Sequence, residues 1–162
     1  MVQPSVSTYT LTVANQFGTT TADLAFEFAS PANHLVISEF MAADNSVLAD
    51  EDGEFSGWIE IFNPTSNDTS LAGYFLTDDE SQPTKWSFPP HVNLASGAYL
   101  VVFASGKDRT NSPLHTNFRL ANGGEYLALV GPGPALVHAY TPAFPPQREN
   151  ISYGILAGDP AL

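Results

Sequence analysis

The stretch GEFSGWIEIFN, residues 53–63, decides the fold class. Trp58, Glu60 and Phe62 alternate with two isoleucines, so in an extended chain they point to one face and the isoleucines to the other. Pro64 follows directly, and proline cannot continue a β-ladder. The stretch therefore predicts a β-strand with a buried isoleucine face, in which Glu60 faces solvent or a partner on the sheet face.

Similar segments recur along the rest of the chain. Short apolar runs separated by Gly, Pro, Asn, Asp and Ser are typical of β-sandwiches, and helical periodicity is missing. The runs that fit strands are LVISEF (35–40), WIEIF (58–62), AGYFLT (72–77), TKWSF (84–88), AYLVVFA (98–104), EYLALV (125–130) and ALVHAY (135–140). They predict an all-β antiparallel sandwich with a core that includes Ile37, Ile59, Ile61, Leu100, Val102, Leu127 and Leu129.

A pair of glycines predicts a hairpin within this sandwich. In NFRLANGGEYLAL, the two glycines directly follow Asn122, which is a strong turn signal. If the glycines are the two-residue loop, Leu120 lies opposite Leu127 and Phe118 lies opposite Leu129. The four side chains would then share one face.

The first 29 residues predict a separate β-hairpin. Tyr9, Leu11 and Val13 share a face of one alternating run, and a second such run follows the turn NQFG. This pattern resembles the last two strands of a bacterial immunoglobulin-like domain. A hairpin alone is marginal in water, so we expect its apolar face to pack on the sandwich or on a second copy of the chain in a homodimer. Residues 30–34, SPANH, predict a linker.

Several longer blocks follow one another in order over residues 35–154. They are LVISEF, GEFSGWIEIFN, LAGYFLTDD, TKWSFP, AYLVVFASGKDR, NFRLANGGEYLAL and FPPQRENISYG. In this order the blocks resemble a lamin tail domain of the bacterial secreted type, which would occupy residues 35–162. The resemblance implies an immunoglobulin-like β-sandwich without catalytic activity. It also implies an interaction, adhesion or spacer module of a large exported bacterial protein, located outside the cell or at the cell surface. Members of this family usually continue past the SYG block into a closing turn, where this chain reads ILAGDPAL.

Charge and composition exclude several functions. The 162-residue chain has a net charge of −12, and thirteen carboxylates but no Lys or Arg precede Lys85. Such a surface repels phosphate backbones and anionic lipid, which excludes nucleic acid as a partner. No apolar run reaches the roughly 18 residues that a membrane span needs. The absence of cysteine excludes disulfides, thiol catalysis and cysteine-based zinc sites. No signal peptide opens the chain, and we expect it to be a fragment of a longer protein.

The loop before the strand at 58–62 concentrates negative charge. Asp50, Asp52 and Glu54 alternate there, and oxygen ligands in such a loop suit calcium, which collects about six to eight oxygens. The spacing differs from that of an EF-hand, because Phe55 and Ile61 stand where that loop needs Gly and Glu. Three interpretations stay open. They are a solvated turn, which the missing spacing favours, a calcium site formed by the three carboxylates with calcium as cofactor, and a partner-binding patch.

No other residues form a catalytic pattern. The cluster of Asp78, Asp79 and Glu80 predicts a turn with Lys85 nearby to relieve its charge, and composition alone leaves a metal site there as the less favoured alternative. The sequence lacks a G-x-S-x-G elbow, a Walker loop and any paired-histidine motif. The histidines, which are scattered and predicted to be ordinary loop or strand residues, are His34, His91, His115 and His138. The sequence therefore predicts that the protein is not an enzyme.

Two functions remain. The first is an interaction or spacer module that contacts other domains of the same polypeptide or other proteins. The second is a carbohydrate- or surface-ligand-binding domain, assisted by calcium, that stacks surface polysaccharide on exposed aromatics such as Trp86, Tyr74 or Tyr153. An exposed planar row of two aromatics favours the second function, and buried rings favour the first. Trp58 and Trp86 lie in blocks of the core type, so we expect both to be buried.

Overall fold

The computed structural model describes the backbone of residues 5–15 and 18–28 and the whole of residues 33–155. These residues form two compact units, the N-terminal hairpin and the region that begins at residue 33.

The N-terminal unit is a two-stranded antiparallel hairpin. It consists of β1 (Ser5–Asn15) and β2 (Gly18–Phe28). The register places Tyr9 opposite Leu24 and therefore aligns the two alternating runs of the sequence. The packing of this hairpin on another surface stays a prediction.

The second unit is built from short strands in two main sheets. They are β3 (Val36–Met41), β4 (Gly57–Phe62), β5 (Thr69–Ser70), β6 (Phe75–Thr77), β7 (Trp86–Ser87), β8 (Asn93–Leu94), β9 (Tyr99–Ala104), β10 (Leu114–His115), β11 (Leu127–Gly131), β12 (Ala135–Tyr140) and β13 (Tyr153–Gly154). One sheet has the order β10-β9-β4-β3-β13 and the other β12-β11-β6-β7, while β5 and β8 form a small separate pair. The described residues contain no helix.

The two main sheets enclose one hydrophobic core. From the five-stranded sheet, β4 contributes Ile59 and Ile61, and from the four-stranded sheet, β11 contributes Leu127 and Leu129, all fully buried. The other predicted core residues are also buried, except that Leu100 is half-buried and packs against the core. The structure thus confirms the β-sandwich that the alternation in the sequence predicts. One pairing departs from the antiparallel pattern, because β10 lies parallel to β9.

The hairpin predicted from the two glycines after Asn122 is wrong. Phe118 and Leu120 are buried in the core, but β11 pairs with β6 and β12 and not with them. Arg119 instead forms a bridge to Ser105, at the end of β9. The segment before the glycines therefore belongs with the five-stranded sheet, and the chain crosses to the opposite sheet before β11 begins. A local turn signal does not reveal such a crossing, because the crossing is decided by the long-range pairing of β9.

Candidate functional site

The candidate site lies on the outer face of the five-stranded sheet, away from the core. Trp58 on β4 packs there with Met41 and Phe103 in a second apolar cluster. Leu48, in the connection between β3 and β4, packs against the same cluster. This connection therefore folds over one half of the outer face. It includes residues 50–54, which we call the acidic loop.

The acidic loop is a tight turn organised by the side chain of Asp50. Its Oδ1 accepts hydrogen bonds from the amides of Asp52 and Glu54, each at 3.0 Å. Gly53 has a φ of +77°, a backbone conformation that side-chain-bearing residues rarely adopt. The sequence DEDGE thus builds the turn locally and directs its carboxylates toward one point.

The ammonium group of Lys107 lies at that point. Its Nζ is 2.5 Å from Asp50 Oδ2, 2.7 Å from Asp52 Oδ2 and 3.0 Å from Glu54 Oε2. Arg109 adds a second cation, because its Nη2 is 2.7 Å from Asp52 Oδ2. Two basic residues that follow β9 therefore pair with the acidic residues of the loop, because Arg109 also contacts Glu51, with its Nη1 2.5 Å from Glu51 Oε1.

These ion pairs shift the pKa values of their members. The hydrogen bond to Asp50, and to a smaller extent the hydrogen bond to Asp52, raises the pKa of Lys107 above its usual value. The hydrogen bond from Arg109, followed by that from Lys107, lowers the pKa of Asp52 to about 2. Burial alone would raise the pKa of Asp50, but hydrogen bonds from Lys107 and from the loop amides lower it. Asp50, Asp52 and Lys107 therefore stay charged at neutral pH.

The structure brings the three predicted calcium ligands together with a lysine between them. Asp50, Asp52 and Glu54 each offer a carboxylate oxygen within 4.8 Å of the others. The solvated-turn interpretation is wrong for Asp50, whose side chain has no exposed surface, although the side chain of Glu54 remains 67% exposed. A calcium ion in this position must displace the Lys107 ammonium. Calcium binding by the three carboxylates stays a prediction.

A second contact that the sequence did not reveal fastens the loop to β10. The Nε2 of His115 is 2.9 Å from Glu51 Oε2, and its Nδ1 is 2.8 Å from the hydroxyl of Ser105. The amide of Lys107 donates to that hydroxyl at 3.2 Å. The imidazole also stacks on the Phe103 ring, with centroids 5.1 Å apart. This places His115 beneath the loop as an internal anchor. Its position in β10 agrees with the prediction of a loop or strand residue, but the sequence did not reveal its contacts with the loop.

Ser105, His115 and Glu51 have the residue types of a catalytic triad, but their geometry is that of a structural contact. Ser105 borders a groove of about 320 Å³, yet only 1% of its surface is exposed and His115 has none exposed. A nucleophile must reach the substrate and lie within hydrogen-bond reach of its base. The Ser105 hydroxyl is closed to a substrate, so this cluster positions the loop.

The second acidic cluster behaves as the sequence predicts. Lys85 Nζ is 2.5 Å from Asp78 Oδ1, which confirms the expected charge relief. Asp79 Oδ1 accepts hydrogen bonds from the amide and hydroxyl of Ser81, and the amide of Gln82 donates to the carbonyl of Asp79. The cluster is a turn.

The exposed aromatics differ in part from those predicted. Trp58 and Trp86 are buried as expected, so Trp86 is wrong as a sugar-stacking residue. Tyr153 is exposed, although its ring lies 5.7 Å from the buried ring of Phe40. The most exposed aromatic of the described residues is one that the sequence did not single out, Tyr99, with 58% of its surface accessible.

Comparison with known proteins identifies the family. A match to the lamin tail domain model covers residues 29–142, which is more than half of the chain. The protein is therefore an all-β, immunoglobulin-like domain. It belongs to the lamin tail domain family. A search among curated proteins finds no match. Within the part of the chain that the structure describes, no helix is long and apolar enough to cross a bilayer.

Proposed function

We propose that this lamin tail domain is a non-catalytic interaction module of a larger exported or cell-surface protein. The observation that carries the proposal is that the chemically capable side chains are engaged in internal contacts. Ser105, His115 and the acidic loop fasten one connection onto the sheet, and the buried hydroxyl cannot meet a substrate. The half of the outer face that this connection leaves open is one surface available to another molecule.

Interaction with a protein partner, such as a neighbouring domain, is favoured over binding of carbohydrate. Tyr99 and Tyr153 are exposed, and exposed rings can stack on sugars. However, the Tyr99 ring stacks on Phe62 with centroids 4.4 Å apart and an interplanar angle of 20°. Two rings that face each other do not form the flat row on which a polysaccharide chain lies. Carbohydrate binding is therefore the second candidate function.

The experiment separates catalysis from binding with one pair of proteins. The full chain and its Ser105→Ala variant are assayed with p-nitrophenyl esters, phosphates and glycosides, and both are applied to peptide and glycan arrays. We expect substrate turnover at the rate of buffer alone and retention of both proteins on the same array positions. Turnover above that rate that is lost in Ser105→Ala would contradict the proposal, and so would the absence of any retained ligand. Protection of the full-length gene product from protease added to intact cells would contradict the surface location.

A further inference from the structure

The open half of the outer face carries an aromatic pair beside two carboxylates. Tyr99 lies opposite Phe62 across β9 and β4, and their rings stack. Along the same strands, Glu60 lies opposite Val101, and Glu39 on β3 lies opposite Glu60. The two glutamates therefore occupy a directly facing pair of positions, where like charges destabilise a sheet.

A β-bulge concentrates this charge on the outer face. The register between β3 and β4 shifts between Ile37 and Glu39, so one extra residue stands on β3 at that point. That residue is Ser38, whose hydroxyl donates to Glu60 Oε1 at 2.7 Å. Because of the bulge, Glu39 lies opposite Glu60 on the outer face. Without the extra residue, Ser38 would lie opposite Glu60, and Glu39 would be turned to the core face.

No cation of the described residues compensates the two glutamates. The ion pairs that the lysines and arginines of this part of the chain form join Lys85 to Asp78, and Lys107 and Arg109 to the acidic loop, so none of them involves Glu39 or Glu60. The chain has a net charge of −12 and only five Lys and Arg residues, which all lie within the described residues, and none of them forms an ion pair with either glutamate. An exposed ring beside an uncompensated carboxylate pair is thus complementary to a positive charge from another molecule.

We propose that the surface formed by Tyr99, Phe62, Glu39 and Glu60 docks an arginine-bearing segment of a basic partner protein. The inference rests on the proposed interaction function and names the chemistry of the partner. Carboxylates only accept hydrogen bonds, and a guanidinium group only donates them, with five N–H groups in a planar fork. The same planar cation stacks on an exposed tyrosine ring. A sugar offers no positive charge to the glutamate pair, so this surface favours arginine.

The test uses the full chain, labelled with ¹⁵N, and a short defined probe. The probe is the acetylated and amidated peptide Gly-Arg-Gly-Arg-Gly, with a matched peptide in which neutral citrulline replaces both arginines. Cellohexaose serves as the carbohydrate arm. We expect the arginine peptide to shift the amide resonances of β4 and β9 around Phe62 and Tyr99, and the other two ligands to leave them unchanged. Because Glu39 and Glu60 are only half-buried, salt can still screen their attraction for the peptide, so 0.5 M salt should weaken binding.

Variants assign the effect to the surface. Tyr99→Ala should weaken binding of the arginine peptide about two- to fivefold, the range for a cation over an exposed aromatic ring, and Glu39→Gln should weaken it about 1.4- to fivefold, the range for a surface ion pair. The matched controls are Leu136→Ala, an exposed apolar residue of the other sheet, and Glu80→Gln, an exposed carboxylate of the turn at 78–80. Both controls should bind like the parent.

Three results would overturn the proposal. Equal binding of the citrulline peptide would remove the role of charge. Shifts spread over the acidic loop and residues 78–80 would indicate unspecific attraction to an acidic protein. Shifts around Tyr99 with cellohexaose alone would assign the surface to carbohydrate. The first two results leave the proposed interaction function untouched, and the third would favour its second candidate, carbohydrate binding. The proposed function itself fails only in the separate assay, through Ser105-dependent turnover or the absence of any ligand retained on the arrays.

Discussion

Replacing Ser105 with alanine should loosen the acidic loop without changing the sandwich core. The hydroxyl is the partner of His115 Nδ1 and the acceptor for the amide of Lys107. Removing it leaves a fully buried ring nitrogen without its partner, and an unsatisfied buried polar group costs about 1–3 kcal/mol. At about 2–4 °C per kcal/mol for a chain of this size, the melting temperature should fall by about 2–12 °C.

The assay combines thermal melting with hydrogen exchange. In addition to the lower melting temperature, we expect faster exchange at the amides of Asp52 and Glu54. Their acceptor Asp50 is paired with Lys107, whose backbone amide loses its acceptor when the Ser105 hydroxyl is removed. Exchange in the core strand β11 should be affected only through global unfolding. The control is Ser46→Ala, an exposed serine in the same connection, which should melt like the parent. A parent-like melting temperature together with parent-like loop exchange in Ser105→Ala would refute the anchoring role of this contact.

Three further predictions concern the loop and the hairpin. Because Lys107 fills the centre of the carboxylate cluster, Ca²⁺ should raise the melting temperature of the parent no more than Mg²⁺ does. In Lys107→Met, which lacks the ammonium group, Ca²⁺ should raise the melting temperature more than Mg²⁺ does. A calcium-specific rise in the parent would instead support the calcium site. The folded-state pKa of Asp52 is about 2 against a usual value of 3.8, so its ion pairs contribute fully above about pH 4 and are lost as the pH falls toward 2. Loop exchange measured over this window should show that loss in the parent and less of it in Asp52→Asn. Deleting residues 1–32 should lower the melting temperature or the oligomeric state if the hairpin packs on the sandwich or on a second chain, and unchanged values of both would contradict that expectation.

The strands were predictable from the sequence because their cause is local. In β4, one alternation sets both the isoleucine face toward the core and Trp58 toward the outer face, and the structure shows both. The predicted hairpin at Gly123 failed for the opposite reason. Its turn signal is local, but the pairing of the preceding segment with the end of β9 is not. A two-residue strand such as β10 likewise has too few positions to show a period.

The sequence showed that the acidic loop is a cluster of charges, but it did not show that Lys107 and Arg109 form ion pairs with it. Asp50 and Lys107 are 57 residues apart, and only the pairing of β4 with β9 brings them together. One signal was nevertheless present. Asp50, Asp52 and Glu54 stand at every second position of the loop, and Lys107 and Arg109 have the same spacing three residues and more after the end of β9 at Ala104, so the two patterns are complementary. The position of His115 had no such signal, because it depends on the parallel pairing of β10 with β9.

The division of the outer face into a covered and an open half bears on how this domain can associate. In a symmetric dimer the same patch meets itself, so two copies joined through the open half would bring Glu39 and Glu60 against the same glutamates of the partner. Facing like charges cost free energy, so the same glutamates that favour a basic partner disfavour self-association through this surface. If the chain forms a homodimer, the contact therefore belongs to the N-terminal hairpin or to another surface. If the chain without residues 1–32 still forms a dimer, Tyr99→Ala should not dissociate that dimer. A dimer that Tyr99→Ala dissociates would show that the open half binds a second copy, and it would overturn the assignment of this surface to an arginine-bearing partner.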